Sequence, residues 1–199
     1  MSIEHGADYT ADVHSAAARQ AMIESQLRPS GVNAPWVLNA MNATPREPFV
    51  PADARAFAYI DRAVPLGGGH FLAPPLFHGR LLEEAAPTAA DRVLVVSATD
   101  YLAALVRPVA ASVAVVEAGA AVPGGDYTLI LIDGAAEVVP DALVAALAEG
   151  GRIVGGIVER GGTRLAAGRK VRGEVAMLPI ADMAVPVLSA FAAPRRWSF

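Results

Sequence analysis

Hydrophobic residues along this chain change their spacing near residue 90. Before that point they recur at helical intervals, as in Leu76, Phe77, Leu81 and Leu82, which share one side of a predicted helix. Beyond it, short apolar runs such as residues 128–132 alternate with helical segments. This alternation is typical of an α/β protein, so we predict a mostly parallel sheet with helices on both faces.

The elements follow from this spacing and from the Pro and Gly residues that interrupt it. The predicted helices are Val13–Leu27, Ala34–Met41, Pro74–Ala86, Tyr101–Arg107 and Pro140–Ala148, with a helical turn or two in Asp53–Tyr59. The predicted parallel strands are Arg92–Ser97, Ser112–Glu117, Tyr127–Asp133 and Arg152–Val158, and the candidate antiparallel edge strands are Thr163–Ala167, Gly173–Leu178 and Arg195–Phe199. We expect residues 1–12 to be a mobile start and the Gly-rich loop Pro65–His70 to be the most flexible sequence.

Composition narrows the class of protein. The chain has 199 residues, of which 54% are hydrophobic and 18% charged, and its net charge is −4. It is long enough for one domain with a sizeable core, and it has no basic field to bind nucleic acid or an anionic membrane. It has no cysteine, no long apolar run and a polar N-terminus, so we expect a cytoplasmic protein without a membrane span. The four His residues show no metal-ligand spacing, so no metal site is expected.

The stretch Asp91–Tyr101 predicts a buried strand that runs into a turn and then a helix. In nucleotide-binding α/β proteins, this strand end is where the ligand lies. The turn has no Gly, although such turns use Gly to let backbone N–H groups approach the ligand. A dinucleotide-binding oxidoreductase is disfavoured because there is no Gly-x-Gly-x-x-Gly turn.

Several strings in the chain resemble the protein-L-isoaspartate O-methyltransferase family. They are Thr44-Pro45-Arg46-Glu47-Pro48-Phe49-Val50-Pro51, Ala58-Tyr59 with Asp61, Val64-Pro65-Leu66-Gly67, Asp133-Gly134-Ala135 and Gly150-Gly151-Arg152-Ile153-Val154. The resemblance covers roughly Ala17 to Val158. The resemblance implies a Rossmann-like fold that uses S-adenosylmethionine to methylate carboxylates of damaged aspartyl residues in a protein or peptide. We expect residues 1–86 to form an N-terminal helical segment and substrate-type loop packed on a core of residues 87–199, in a single structural domain.

The same resemblance implies positions for the ligands. The cofactor-binding positions are Ser97, Ala98, Thr99, Asp100, Glu117 and Asp133, and the substrate positions are Gly69, His70, Leu72 and Ala73. Glu117 lies where this fold places a carboxylate for the ribose hydroxyls. Other roles stay open: Glu117 as an ordinary strand-end acid, Asp133 as a helix cap or turn former, and His70 as a plain loop residue. His78 is expected to be a packing or solvent-exposed residue, and Trp36 and Trp197 core or interface anchors.

The chain departs from the family pattern in three places. At the first strand end, Val95 takes the acidic position and Ser97 the first Gly, and Asp100 is expected to cap the next helix. Only nine residues, Ala118–Asp126, join the second strand to the third, so one strand-helix unit is deleted. In the substrate loop, Ala73 stands where the family has a Ser that holds the substrate carboxylate, so no catalytic residue is assigned.

Two hypotheses follow. The first is a divergent methyltransferase of this family, and the second is a pseudoenzyme that keeps the fold as a binding or scaffolding module. An apolar-rich chain whose deletion uncovers a sheet edge also predicts a homo-oligomer that covers this edge.

Overall fold

A computed structural model describes residues 14–194. The N-terminal half is mainly helical and contains one hairpin. It comprises α1 (residues 14–22), a π-helical turn Ile23–Leu27, α2 (Pro35–Ala43), the 3-10 turns Glu47–Phe49 and Ala52–Phe57, β1 (Val64–Gly67), β2 (His70–Leu72) and α3 (Pro75–Ala85). The predictions for residues 1–12, Arg195–Phe199 and Trp197 lie outside the described residues.

The second half builds a six-stranded sheet. Its elements are β3 (Arg92–Val96), α4 (Tyr101–Val106), β4 (Ser112–Val116), β5 (Tyr127–Ala136), α5 (Asp141–Ala146), β6 (Leu147–Glu159), β7 (Gly162–Val171) and β8 (Glu174–Asp182), followed by a 3-10 turn Ser189–Phe191. The strand order is β4-β3-β5-β6-β7-β8. The pairings among β4, β3, β5 and β6 are parallel, and β7 and β8 are antiparallel. The prediction of a mostly parallel sheet is therefore confirmed.

Helices cover both faces because the central strands are apolar on both sides. Val93, Val95, Leu129 and Leu131 face the N-terminal helices, α3 and α4. On the opposite face, Leu94, Val96, Ile130 and Ile132 pack against Leu143 of α5 and against Phe191. The alternation of neighbouring residues between two cores explains why these strands appear in the sequence as continuous apolar runs.

The short link between β4 and β5 contains no helix and no strand. Residues 118–126 carry the chain from the end of β4, past β3, to the start of β5. The expected loss of a strand-helix unit is thus confirmed, and β4 is left as an edge of the sheet. The homo-oligomer that would cover this edge stays a prediction.

The Gly-rich segment Pro65–His70 is more regular than expected. It belongs to an antiparallel hairpin in which β1 pairs with β2. Gly67, Gly68 and Gly69 adopt φ values of 92°, 61° and 84°, in the left-handed region that favours glycine. The segment is therefore a tight turn between two strands and not an open loop, and its flexibility stays a prediction.

The other edge of the sheet is β8. The pairing of β7 with β8 shifts register between Leu165 and Ala166, opposite Pro179 and Ala181. Leu178 and Ile180 on either side of Pro179 are exposed. The tail thus forms two long antiparallel strands, as expected in kind but longer than predicted. Among the described residues, no helix is both long and apolar enough to cross a membrane.

Candidate functional site

The candidate site lies where β3, β4 and β5 reach their carboxyl ends. Ser97 follows β3, Glu117 follows β4, and Asp133 lies near the end of β5. In open α/β sheets, ligands bind in the crevice at the carboxyl ends of the strands, next to the point where the strand order reverses. Here the chain leaves β3 for β4 on one side, and β5 lies on the other. Three of the predicted cofactor positions therefore lie together at the carboxyl end of the sheet.

Asp133 is fully buried beside Ser97 and His78. The Ser97 hydroxyl donates to Asp133 Oδ2 at 2.7 Å, and His78 Nε2 lies 2.8 Å from Asp133 Oδ1. The β5–β6 pairing is interrupted between Ile132 and Ala135, so Asp133 and Gly134 form a bulge that turns the carboxylate inward. Asp133 is not a helix cap, because its carboxylate bonds to Ser97 and His78. His78 is not a simple packing residue either, because its ring bonds at both nitrogens.

Arg46 completes this network, and sequence reasoning missed it. Its side chain is fully buried, and Nη1 donates to His78 Nδ1 at 3.0 Å. Nε and Nη2 donate to the carbonyls of Ala58 and Ala73, at 2.7 and 2.6 Å. The guanidinium also lies 4.8 Å from the centroid of the Tyr101 ring. The sequence contained one indication of a role for Arg46, which is its place in the string Thr44–Pro51 that resembles the family. Nothing in the sequence indicated its partners.

The hydrogen bonds define the charge states of this cluster, named here the Arg46–His78–Asp133 network. Arg46 donates to Nδ1 of His78, so Nδ1 accepts and the proton of a neutral ring is on Nε2, which donates to Asp133. Burial lowers the pKa of His78, against the opposing effect of Asp133, and keeps the ring neutral. Burial alone would raise the pKa of Asp133, but His78, the Ser97 hydroxyl and the Arg46 charge together hold it below its usual value. A buried cation and a buried anion are therefore joined through a neutral imidazole.

The turn after β3 is closed by its own side chains. The backbone N–H of Thr99 donates to the Ser97 hydroxyl at 3.1 Å, and Ser97 is in turn bonded to Asp133. Ala98 is exposed and Thr99 half-buried. Asp100 occupies the N-cap position of α4, but its side chain makes no capping hydrogen bond. The expectation that Asp100 caps the helix was wrong, because its carboxylate binds the Arg107 guanidinium instead.

Glu117 meets the tip of the hairpin. His70 Nε2 lies 3.3 Å from Glu117 Oε1, and both side chains are about half exposed. The structure therefore brings a predicted cofactor position and a predicted substrate position into contact. Gly69 and His70 line the cleft. Leu72 and Ala73 do not face it, because both are fully buried in the core and the Ala73 carbonyl accepts from Arg46.

A C-terminal stretch, residues 186–191, lies over the end of β5, and we call it the closing segment. The Ala135 N–H donates to the Pro186 carbonyl at 2.9 Å, and the Leu188 N–H donates to the Ala135 carbonyl at 2.8 Å. A Cβ placed on Gly134 would lie 2.7 Å from Leu188 Cγ, so only glycine allows this approach. Leu188 and Ser189 thereby become walls of the cleft.

The cleft between the hairpin tip and the closing segment is too small for the methionine part of the cofactor that this fold implies. It has a volume of about 30 Å³ and is lined by Gly69, His70, Phe71, Ala98, Ala118, Asp133, Leu188 and Ser189. Small-molecule sites usually measure roughly 300–1,000 Å³. The Thr99 N–H and the Ser97 hydroxyl of the β3 turn are also engaged, by Ser97 and Asp133 respectively. The residues at this strand end therefore do not fit the methionine part of S-adenosylmethionine.

The mostly parallel sheet, with helices on both faces and an acid at the end of β4, places the chain among proteins with a Rossmann-like fold. A family model described as protein-L-isoaspartate(D-aspartate) O-methyltransferase matches residues 17–123, just over half of the chain. The chain belongs to this family.

Relatives and solved structures agree. A protein-L-isoaspartate O-methyltransferase of Methylorubrum populi is 32% identical over 177 residues, which cover 75% of this chain and 84% of the relative. One from Koribacter versatilis is 36% identical over 165 residues, covering 68% and 74%. A crystal structure of a Plasmodium falciparum protein described as a possible member of this family, in complex with S-adenosyl-L-homocysteine, superposes with a TM-score of 0.68 at 17% identity, covering 86% of this chain and 98% of that one. The last comparison supports the fold alone.

Proposed function

We propose that this chain is a non-methylating member of the protein-L-isoaspartate O-methyltransferase family, which keeps the fold as a binding or scaffolding module. The observation that carries the proposal is the closed turn after β3. Its hydroxyl and amide donors are directed into the protein, to Asp133 and Ser97, rather than toward a ligand. A ligand carboxylate at this helix start would need these donors.

The closing segment supports the same proposal. Leu188 lies against Gly134 at the carboxyl end of β5 and lines the cleft together with Phe71, so it takes up space that a ligand there would need. Methyl transfer to a carboxylate depends mainly on positioning, because the acceptor oxygen and the methyl group must meet in line. Opening this space would break two backbone hydrogen bonds at Ala135 and expose the Leu188 side chain.

The residues at the predicted substrate positions also support the proposal. Ala73 has no hydroxyl that could bind a substrate carboxylate. Its backbone carbonyl is buried and accepts a hydrogen bond from Arg46. Arg46, a cation that could otherwise attract a carboxylate, is fully buried and already engaged by Ala58, Ala73 and His78.

A second candidate function is the methyl transfer to a protein or peptide carboxylate that the family implies. The retained acid favours it: Glu117 lies at the end of β4, and its side chain is 57% exposed. In that case S-adenosylmethionine would bind after the closing segment moves, with Glu117 holding the ribose. For either candidate we infer a single structural domain made of residues 1–86 and 87–199, located in the cytoplasm.

Calorimetric titration separates the two candidates. We expect no heat with S-adenosylmethionine or S-adenosylhomocysteine at millimolar concentration, and no rise in Tm in the same solutions. The relative from Methylorubrum populi is the positive control for both ligands. Binding at micromolar strength would overturn the proposal.

If a ligand does bind, two further measurements decide what the chain does. Glu117→Gln should weaken affinity if the carboxylate holds the ribose, whereas Glu174→Gln, an exposed acid at the start of β8, should not. Methyl transfer to an isoaspartyl peptide, absent with the matched aspartyl peptide, would establish the second candidate.

A further inference from the structure

The outer edge of β4 lies open in this fold. β4 is the first strand in the order of the sheet, and β3 is the one described strand that pairs with it. The link of residues 118–126 forms no strand beside β4, and its residues Ala118 and Val122 pack on one face of the sheet instead. Within residues 14–194, the outer side of β4 therefore has no strand partner.

Two residues of β4 direct their backbone groups to this open side. In a strand that pairs in parallel, alternate residues turn both their N–H and their C=O to the same neighbour. The Ser97 N–H donates to the Val116 carbonyl at 3.0 Å, so Val116 faces β3, and Ala114 two residues earlier faces β3 as well. The alternate residues Val113 and Val115 therefore present their N–H and C=O groups at the edge.

The two edges of the sheet differ in their protection. Natural edge strands are protected from pairing by charged residues, prolines or bulges. β8 has all of these, since it contains Pro179, a register shift, and the acids Glu174 and Asp182 at its ends. β4 (Ser112–Val116) has no charge and no proline, and it pairs with β3 in unbroken register. Its residue Val115 is 37% exposed, so β4 is the edge that is open to another strand.

The sequence of β4 matches a second copy of itself. The stretch Val113-Ala114-Val115 reads the same in both directions, so an antiparallel pair centred on Ala114 sets each valine opposite a valine. Cross-strand pairs of β-branched residues stabilise a sheet, and an uncharged strand places no like charges opposite each other. In this register, Val113 of one copy and Val115 of the other exchange both of their backbone hydrogen bonds.

We propose that β4 pairs with β4 of a second copy of this chain, antiparallel and centred on Ala114, to form a homodimer with one continuous sheet. The short link of residues 118–126 leaves the space that the second copy occupies. This pairing gives the homo-oligomer expected from the sequence a defined edge, orientation and register. It goes beyond the proposed function and does not depend on whether the chain methylates anything.

Sedimentation velocity of the full chain over a range of concentrations, from roughly 10 µM to 1 mM, tests the dimer. One short pair of strands buries less surface than the roughly 1,200 Å² of a stable interface, so we expect a reversible dimer with a Kd on the order of 0.1 mM. The average mass should rise with concentration from that of one 20.5 kDa chain toward twice that value. A mass that stays at one chain over the whole range would overturn the proposal.

Matched lysine substitutions distinguish the two edges of the sheet. Val115→Lys places a charge on the β4 edge and should leave the chain monomeric over the same range of concentrations. Leu178→Lys adds the same charge at an exposed position of β8 and should leave the dimer unchanged. Circular dichroism checks that both variants are folded. A dimer that survives Val115→Lys, or one that only Leu178→Lys abolishes, would refute the assignment to β4.

A single introduced cysteine tests the register, because the chain has no cysteine of its own. Ala114 would lie opposite its copy in a non-hydrogen-bonded pair, where the Cα atoms are about 4.5 Å apart and within reach of a disulfide. Ala114→Cys should therefore form a covalent dimer on mild oxidation. Ser112→Cys should not, because its copy would lie roughly 13 Å away along the strand. Equal crosslinking of the two variants, or crosslinking of Ser112→Cys alone, would contradict the proposed pairing.

Discussion

Replacing Asp133 by Asn tests the buried charge network most directly. The two side chains have the same shape, so the change removes a charge without opening a cavity. Asp133 is 2% exposed, and Arg46 and His78 are fully buried. In the variant, the Arg46 guanidinium remains buried with no anion to balance it through His78.

The expected loss of stability is about 3 kcal/mol. Removing one partner of a buried ion pair typically costs about 3–5 kcal/mol, because the other charge is left uncompensated. The lower end applies here because Arg46 also donates to two backbone carbonyls, and because the Asn oxygen can still accept from Ser97. Folded proteins are stable by roughly 5–15 kcal/mol, so this is a large fraction of the total.

Urea unfolding followed by circular dichroism measures the effect, with the free energy of unfolding taken by linear extrapolation. Asp53→Asn, an exposed acid, is the control and should change stability by less than about 0.5 kcal/mol. Combining Asp133→Asn with Arg46→Met should destabilise by less than the sum of the single changes, since residues in one network couple by about 0.5–3 kcal/mol. A loss below about 1 kcal/mol for Asp133→Asn, or strict additivity, would refute the reasoning.

The remaining predictions concern pH and a second buried ion pair. Burial lowers the pKa of His78, so as the pH falls this histidine is protonated in the unfolded chain before it is protonated in the folded one. Stability should therefore fall as the pH drops below about 6.5. The pKa of Asp133 is also lowered in the folded chain, which adds a further loss of stability below about pH 4. Thermal unfolding between pH 7.5 and 3.5 checks this, and a flat profile down to pH 5 would contradict it. Arg152 holds the buried Asp91 carboxylate through two hydrogen bonds, so Arg152→Ala should cost about 2–3 kcal/mol in the same urea assay. Arg55→Ala, at an exposed position in the 3-10 turn Ala52–Phe57, should cost less than about 0.5 kcal/mol. Equal losses for the two arginines would argue against a structural role for Arg152.

Much of the sheet could be predicted because its signal is local. The apolar run of β5 and the valines of β3 predict strands that are buried on both faces. The nine-residue link is too short for a helical crossover between parallel strands. The hairpin was harder, since Gly67–Gly69 fit both a flexible loop and a tight turn. Only the pairing of Val64 with Leu72 decides between them.

The candidate site depended on contacts that are distant in sequence. Arg46 bonds to Ala58, Ala73 and His78, residues 12, 27 and 32 positions away, and no periodicity records such pairs. For Asp100, by contrast, a local pattern in the sequence led to a wrong prediction. Its position before α4 fits a helix cap, but the competing guanidinium of Arg107 seven residues later is a stronger partner for a carboxylate than a backbone amide.

The irregular β8 edge has a consequence for how this protein behaves at high concentration. An exposed edge strand with apolar residues such as Leu178 and Ile180 can recruit a strand from another molecule and begin a fibril. Pro179 lacks the N–H that a recruited strand would need, and the register shift beside it bends the edge. The same exposed apolar residues are thereby kept from acting as a template for β-aggregation.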